Sequence, residues 1–347
     1  RERAEVPSAG NTLRLSVEPY GGGIWRGWLD RPLSVAGRVV IRQGDRLVSR
    51  LVNIDRDLLV IPGVAIHMDR SVNKGAELNP AVDLLPLLGC GKEPGAFRKL
   101  IAEAAGVREE HLLSTELFLY PRTKAVQTGL NGEFIVSPRL DDLQCVFGCL
   151  EGFLAAKAGE SVPVLTVFNN EEVGSNTRQG ADSTFLTDVL ERIAHGCGLD
   201  SEAWKAAVAN SFMVSADNAH AIHPAHPEYA DKGEFPVLGG GIVIKYNANQ
   251  RYTTDAVSGA VFQAICQEAG VPVQRYSNRA DLPGGSTLGN ISTAHLSVPT
   301  VDIGLPQLAM HSVCETAGAA DTDYLVKAMT AYFSRDFHRD RDGGIVF

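Results

Sequence analysis

Residues 162–175 read VPVLTVFNNEEVGS and give the first indication of the fold class. Residues 162–168 form a nearly continuous apolar run of strand length, and a polar loop containing Glu171 and Glu172 follows directly. Continuous apolar strands are typical of a sheet that is covered on both faces. The sequence therefore predicts a buried strand that ends in an acidic loop.

The same pattern continues toward the carboxyl terminus, where short apolar runs at 212–215, 242–246 and 298–303 predict further strands. Helices are predicted between them over 254–268 and near the end of the chain, around 325–333. Two more helices follow from apolar stripes at helical spacing: Leu143, Val146, Phe147, Leu150 and Leu154, and Phe185, Leu186, Val189, Leu190 and Ile193. The predicted fold class is α/β, with a mixed sheet sandwiched by helices.

Upstream of about residue 125 the sequence pattern is mainly that of strands and turns. Residues 33–42 and 46–54 flank a Gly-containing turn and predict a β-hairpin, and a helix is predicted around 97–104, ending before Gly106. A length of 347 residues is typical of about two domains at roughly 150 residues each. We therefore expect a strand-rich domain next to an α/β domain.

Composition excludes several classes of protein. The chain has 32 Lys and Arg against 41 Asp and Glu, a formal net charge of −9, so nucleic-acid binding is not expected. No stretch approaches the ~18–20 apolar residues of a membrane helix. The six cysteines include no CxxC pair, which favours reduced thiols and a cytoplasmic location, with no membrane partner.

Acidic and imidazole side chains stand where the predicted strands end or the first long helix begins: Asp141, Glu171, Glu172, Asp217 and His311. Taken singly, each has a structural explanation, such as a helix cap, a turn former or a solvated loop carboxylate. In open α/β sheets, however, ligands bind beyond the carboxyl ends of the strands, so we expect a shared site. Carboxylates and one imidazole suit Zn²⁺, Mn²⁺ or Co²⁺ better than a cysteine-rich structural site.

Several motifs in a fixed order resemble the aspartyl aminopeptidase family of dinuclear metallo-aminopeptidases, from about Tyr20 to the end of the chain. They are residues 20–25 (YGGGIW), 30–39 (DRPLSVAGRV), 138–142 (PRLDD), 171–175 (EEVGS), 215–224 (SADNAHAIHP) and 310–312 (MHS). The resemblance implies a metal-dependent aminopeptidase that removes N-terminal residues, preferably Asp or Glu, from peptides.

The resemblance also assigns roles to the acidic and imidazole residues. It implies two divalent metal ions per subunit. Zinc is the expected metal, and manganese and cobalt are the alternatives. Asp141 would bridge both metals, Glu172 and His311 would complete the shell of one, and Asp217 would serve the other. Glu171 would be the general base that takes a proton from the attacking water.

Four further residues are implied to bind substrate: His220, Lys245, Tyr252 and His67. Lys245 would give an acidic first side chain a charge partner, although a strand-end lysine that points to water is an alternative. Tyr252 could equally be a core aromatic. His67 lies in a His-Met-Asp triplet that looks like a metal motif, but its neighbours resemble a stretch of the family's inserted domain that reaches a neighbouring subunit's active site.

The resemblance implies three domain segments and an assembly. Residues 1–15 are expected to be a remnant of the N-terminal part of the catalytic domain, 16–126 an inserted lid or dimerisation domain, and 127–347 the catalytic domain. The family forms tetrahedral dodecamers, so we expect a homo-oligomer.

Two departures from the family pattern leave alternatives open. Residues 1–19 contain no His-x-Asp motif, so we expect the sequence to begin after the segment that supplies that ligand; an inactive oligomeric scaffold is the alternative. Asp142 stands where the family often has Asn. That change puts a strict acidic preference in doubt and keeps open a related dinuclear aminopeptidase or deacylase with a neutral-residue preference.

Overall fold

The structure is a computed structural model that describes residues 4–91, 95–157, 159–282, 284–342 and 344–347. The chain divides into two compact units, with the boundary between Lys124 and Ala125. The roles expected for residues 1–15, 16–126 and 127–347 stay predictions. No helix in the described ranges is long and apolar enough to cross a membrane.

The first unit is built mainly from antiparallel strands. Its elements are β1 (Glu5–Ser8), β2 (Thr12–Leu15), β3 (Leu33–Gln43), β4 (Arg46–Asn53), β5 (Leu87–Cys90), α1 (Ala96–Ala104) and β6 (Leu112–Pro121). One sheet has the order β1-β2-β5 and the other β4-β3-β6. The predicted hairpin is confirmed, because β3 pairs antiparallel with β4 up to Gln43 and Arg46.

The core of this unit includes alternate residues of β3, because successive side chains of a strand point to opposite faces of the sheet. Leu33, Val35, Val39 and Ile41 are buried on one face of the strand, and Ile101 of α1 joins the same cluster. At Gly37 the strands approach so closely that a Cβ atom would lie 2.2 Å from the carbonyl oxygen of Glu116.

The second unit mixes strands and helices. Its elements are β7 (Val126–Thr128), β8 (Phe134–Ser137), α2 (Leu140–Ala155), α3 (Phe185–Gly196), α4 (Ser201–Ala209), β9 (Met213–Ala216), β10 (Ala219–His220), β11 (Ile242–Tyr246), α5 (Ala256–Glu268), β12 (Val273–Ser277), α6 (Gly289–His295), β13 (Thr300–Gly304), β14 (Pro306–Leu308), β15 (Glu315–Gly318), α7 (Ala319–Phe333), β16 (His338–Arg339) and β17 (Ile345–Val346).

Two sheets form the frame of the second unit. One has the order β12-β11-β13-β9, with β11 parallel to β12, β13 parallel to β9, and β11 antiparallel to β13. The other has the order β10-β14-β15-β8-β7. The predicted α/β class with mixed sheets is therefore confirmed.

The core of the second unit lies between the four-stranded sheet and helices α5 and α7. Its fully buried members include Ile244 of β11, Ile303 of β13, Phe262 of α5 and Leu325 of α7. Helix α2 packs against α7 through glycine: a Cβ atom on Gly152 would lie 2.5 Å from the Cβ of Met329. This close packing fixes the helix that begins at the predicted metal-site residues.

One expectation was wrong. Residues 162–168 have no regular secondary structure, and no described strand pairs with them; Val162 and Val167 are exposed. An apolar run becomes a strand only where a neighbour satisfies its backbone hydrogen bonds, and the run itself does not encode that neighbour. The predicted helices α2 and α3 do form, but much of their apolar stripes is exposed, including Leu154 and Ile193.

Candidate metal centre

The predicted ligand residues lie on four loops of the second unit. Asp141 is in the first turn of α2, shortly after β8, and Glu172 lies in a 3₁₀ turn, Glu171–Val173. Asp217 follows β9 directly, and His311 lies in the connection from β14 to β15. The structure brings all four into two overlapping groups, although the residues before Glu172, 162–168, form no strand.

The first group consists of Asp141, Glu172 and His311. Nε2 of His311 lies 3.3 Å from Oδ2 of Asp141 and 3.2 Å from Oε2 of Glu172. The second group is Asp141, Asp142 and Asp217, and in each group the donor atoms lie within 4.8 Å of one another. Asp141 belongs to both, which is the placement that a bridging carboxylate would need.

The electrostatics of these groups favour a bound cation. Burial is the main cause that raises the pKa of Asp217, and Lys245 opposes it. Burial likewise raises the pKa of Glu172 to about 7, opposed by His311. The pKa of Asp142 lies well above its ordinary value through burial and then through the charges of Asp217 and Asp141. Carboxylates held this close are costly to ionise together unless a positive charge joins them.

The donor chemistry also fits a divalent ion. Three carboxylates and an imidazole are ligands that zinc accepts, with cobalt and manganese as alternatives. Oδ1 of Asp142 is buried and, among the described residues, has no hydrogen-bond partner. The cluster therefore contains more carboxylate charge than the nearby cationic side chains compensate. The residues present fit the divalent metal that the sequence predicted.

Glu171 lies beside this cluster in the same 3₁₀ turn as Glu172. Burial raises its pKa, the charge of Asp141 adds to the effect, and His311 and Lys245 oppose it. A raised pKa makes the Glu171 carboxylate a stronger proton acceptor than an ordinary glutamate, which suits a general base.

Three of the four predicted substrate residues lie around the cluster. Lys245 on β11 is 2% exposed; its Nζ donates to the carbonyl oxygen of Asn218 at 2.8 Å and lies 3.7 Å from Oδ2 of Asp217. The same Nζ lies 5.5 Å from the ring centroid of Tyr252, which is also buried. Lys245 therefore does not point to water, and its ammonium group is held by protein atoms.

His220 ends β10, and its ring contacts Tyr276 with 6.1 Å between centroids. His220 keeps solvent access, yet the protein atoms around it desolvate the imidazole and lower its pKa, with Lys245 adding to the effect. His67 is exposed in the first unit, so it is not among the residues that the second unit brings together.

The loops that carry the ligands contain non-glycine residues in the left-handed region. Arg139 (φ 60°), Asn170 (φ 60°) and His311 (φ 65°) all lie within or next to a ligand-bearing turn. Such conformations cost free energy for residues with a Cβ atom and often occur at functional sites.

Sequence reasoning missed the contacts of two polar residues near the ligands, Glu315 and Asn218. The Glu315 carboxylate accepts hydrogen bonds from the backbone N–H groups of Asp141 and His311. The Asn218 side chain donates to Gln144 and Gln307 and accepts from the Cys145 thiol. Both are polar residues near a ligand in the sequence, but nothing in a local pattern marks which distant groups they contact: backbone N–H groups for Glu315 and side chains for Asn218.

Fold and site together define a class: an α/β protein whose strand-end loops gather carboxylates and one histidine, as in metallohydrolases. The family model described as Aminopeptidase I zinc metalloprotease (M18) matches residues 5–333. The chain belongs to this family, that of the M18 aminopeptidases, and the family and enzyme class expected from the sequence are confirmed.

Similar proteins agree with this assignment. The chain is 45% identical over 336 residues to the probable M18 family aminopeptidase 2 of Clostridium acetobutylicum, covering 95% of this chain and 78% of that protein. A cryo-EM structure of the Ape4 and Nbr1 complex matches with a TM-score of 0.92 and 36% identity, covering 96% of this chain and 68% of that one. The S. cerevisiae mApe1 dodecamer matches with a TM-score of 0.81 and 26% identity, covering 96% and 76%.

Proposed function

We propose that this chain is a metal-dependent aminopeptidase that removes N-terminal residues, preferably Asp and Glu, from peptides. The observation that carries the proposal is the pair of overlapping donor groups that share Asp141, with Glu171 beside them. Membership of a zinc aminopeptidase family supports the same activity.

Two divalent ions per subunit, zinc first, fit the donor groups. Asp141, Glu172 and His311 would hold one, and Asp141 with Asp217 would hold the other. When bound, such ions polarise the peptide carbonyl and lower the pKa of a water molecule.

The chain's own residues then carry the proton transfers. Glu171 accepts the proton of the attacking water and passes it to the leaving amine, as its raised pKa allows. His220, kept neutral by its lowered pKa, donates a hydrogen bond to the oxygen of the scissile carbonyl. Tyr252 holds Lys245 in place beneath the substrate.

Lys245 is the proposed source of the acidic preference. Its ammonium group uses one donor on Asn218 and lies 3.7 Å from Asp217, which leaves donor capacity for a substrate carboxylate. The same contacts favour a second candidate, a preference for neutral residues, because an ammonium already compensated by Asp217 attracts a second carboxylate less strongly.

We also propose a homo-oligomer in which His67 contacts the active site of a neighbouring subunit. His67 is exposed, as that role requires. The outer face of β4 exposes Leu47 and Leu51, which is costly for a monomer in water. The mApe1 dodecamer among the similar structures supports assembly. Sedimentation velocity would test this proposal; a monomer at micromolar concentration contradicts it.

The function is tested by measuring metal content together with hydrolysis of Asp-, Glu-, Leu- and Lys-terminated chromogenic amides. Chelator-sensitive turnover of the Asp and Glu amides with two metals per subunit is expected. Faster turnover of the Leu amide would select the neutral-residue candidate. No metal and no turnover would instead favour an inactive scaffold.

The Lys245→Met variant separates the two substrate preferences. If Lys245 binds the acidic side chain, kcat/KM should fall at least tenfold more for Asp and Glu amides than for the Leu amide. Equal losses on all four amides would contradict its role in specificity. Lys205→Met, a change at an exposed lysine of α4, is the matched control and should leave all four rates unchanged.

A further inference from the structure

Glu315 occupies a central position between two of the ligand loops. It is the first residue of β15, which lies between β14 and β8 in the sheet, and it is paired with Ser137 of β8. The loop after β8 leads to Asp141, and the loop before β15 contains His311. Glu315 is 2% exposed.

Both carboxylate oxygens of Glu315 face backbone groups of the ligand residues themselves. Oε2 accepts from the N–H of Asp141 at 2.9 Å, and Oε1 accepts from the N–H of His311 at 2.7 Å. Glu315 belongs to neither donor group of the metal centre. Its carboxylate therefore holds the two ligands by their backbone instead of binding the metal.

We propose that Glu315 is a positioning residue that sets the distance between Asp141 and His311, and thereby the affinity and geometry of the metal site. This inference rests on the proposed function of the site as a metal centre. Asp141 and His311 come from separate loops with left-handed turns at Arg139 and His311, so neither loop by itself fixes the other. A single carboxylate that accepts from both N–H groups ties them together, as outer-shell partners do in metal sites.

Glu315→Gln tests this role because it preserves shape but leaves only one acceptor oxygen. The amide NH₂ group would face one of the two backbone N–H groups, so one ligand loop loses its anchor. We expect Co²⁺ binding, measured by competition with a chromophoric chelator, to weaken by at least about tenfold. The visible absorption spectrum of the Co²⁺-loaded protein should also change, since it reports ligand geometry.

Asp321→Asn is the matched control. Asp321 is a buried carboxylate of the same unit that accepts from two backbone N–H groups, Gly239 at 2.8 Å and Gly241 at 2.9 Å, but it belongs to neither donor group. The two variants therefore remove similar hydrogen bonds. Asp321→Asn should lower thermal stability while leaving Co²⁺ affinity and spectrum unchanged.

The outcomes are distinguishable. Wild-type affinity and spectrum in folded Glu315→Gln would overturn the proposal, as would equal weakening in Asp321→Asn. If circular dichroism shows that Glu315→Gln does not fold, Glu315→Asp takes its place: the shorter carboxylate reaches one N–H group only, and the same weakening is expected. Failure of the wild-type protein to bind Co²⁺ would overturn the proposed metal centre itself.

Discussion

Nζ of Lys245 lies 3.7 Å from Oδ2 of Asp217, and both side chains are largely removed from water. The pair places a fixed positive charge beside a carboxylate that is also a proposed metal ligand. Lys245 therefore stabilises the ionised form of Asp217 in the absence of metal, against the effect of burial.

Replacing Lys245 with methionine should destabilise the metal-free protein. Burial raises the pKa of Asp217 to about 8, so the carboxyl group is protonated at pH 5 and Lys245 stabilises an ionised partner only at higher pH; the loss should therefore be greater at pH 8 than at pH 5. Urea unfolding in the presence of a chelator at the two pH values measures this effect. Identical losses at pH 5 and pH 8 would show that Asp217 is not the group that Lys245 stabilises.

Replacing Glu171 with glutamine should preserve metal content and reduce kcat about 10²–10⁴-fold, because a general base is lost while the donor groups stay intact. Elemental analysis and amide hydrolysis measured on the same sample check both parts. Glu202→Gln, at an exposed residue of α4, is the control and should change neither. Loss of metal in Glu171→Gln would make Glu171 a ligand instead of a base.

The metal-free protein should lose stability as the pH rises from about 4.5 to 7. The pKa of Glu172 is raised from 4.5 to about 7, so the folded state binds the proton more tightly than the unfolded state, and that contribution disappears above the folded pKa. Thermal unfolding in the presence of a chelator over this range measures the slope. Glu172→Gln should reduce the slope without abolishing it, because the pKa values of Asp321 and Asp217 are also raised, and an unchanged slope in that variant would contradict the assignment.

Adding Zn²⁺ should stabilise the chelator-treated protein at pH 7, by about 2.7 kcal/mol at a free concentration one hundred times Kd. Differential scanning calorimetry with and without Zn²⁺ checks the shift in Tm, and Mg²⁺ is the control ion because it binds such mixed carboxylate–imidazole sites weakly. An equal shift with both ions would indicate general charge screening.

Replacing Gly152 with alanine should destabilise the second unit by about 1–3 kcal/mol, because the new Cβ would lie 2.5 Å from Cβ of Met329 and 2.9 Å from the backbone nitrogen of Thr330. Gly196→Ala is the matched control: it lies in α3 with no atom within 4 Å of the added Cβ, and should be neutral or stabilising. Chemical denaturation of both variants measures their free energies of unfolding. Equal values would mean that α7 moves to accommodate the methyl group.

Local patterns predicted the elements whose partners are near in sequence or strongly apolar. Alternating apolar residues predicted the hairpin whose turn lies between Gln43 and Arg46. Apolar residues at helical spacing predicted helices α1, α5 and α7. Residues 162–168 show the limit, because their apolar run predicted a buried strand, but the run does not encode a pairing partner and three of its valines are exposed. Helices α4 and α6 went unpredicted, since their sequences have no clear apolar stripe.

The candidate site was predictable to the extent that strand ends converge. Asp141, Asp217 and His311 could be grouped because each follows a strand, although these strands belong to two sheets; Glu172 was grouped with them from a strand at 162–168 that does not form. Glu315 could not be found in this way, because its contacts are to backbone N–H groups and depend on sheet order. The charge compensation of Lys245 by Asp217 likewise depends on the distance between Nζ and Oδ2, which only the folded chain defines.

The left-handed residues Arg139, Asn170 and His311 have a consequence for evolution and engineering. Glycine in place of Arg139 or Asn170, neither of which belongs to a donor group, would relieve the local backbone cost, so a search for thermostable variants should select it. The same change would let the ligand-bearing turn sample many more backbone conformations before metal arrives. Sequences selected only for a higher Tm should therefore lose affinity for metal, and the two traits should trade against each other along these turns.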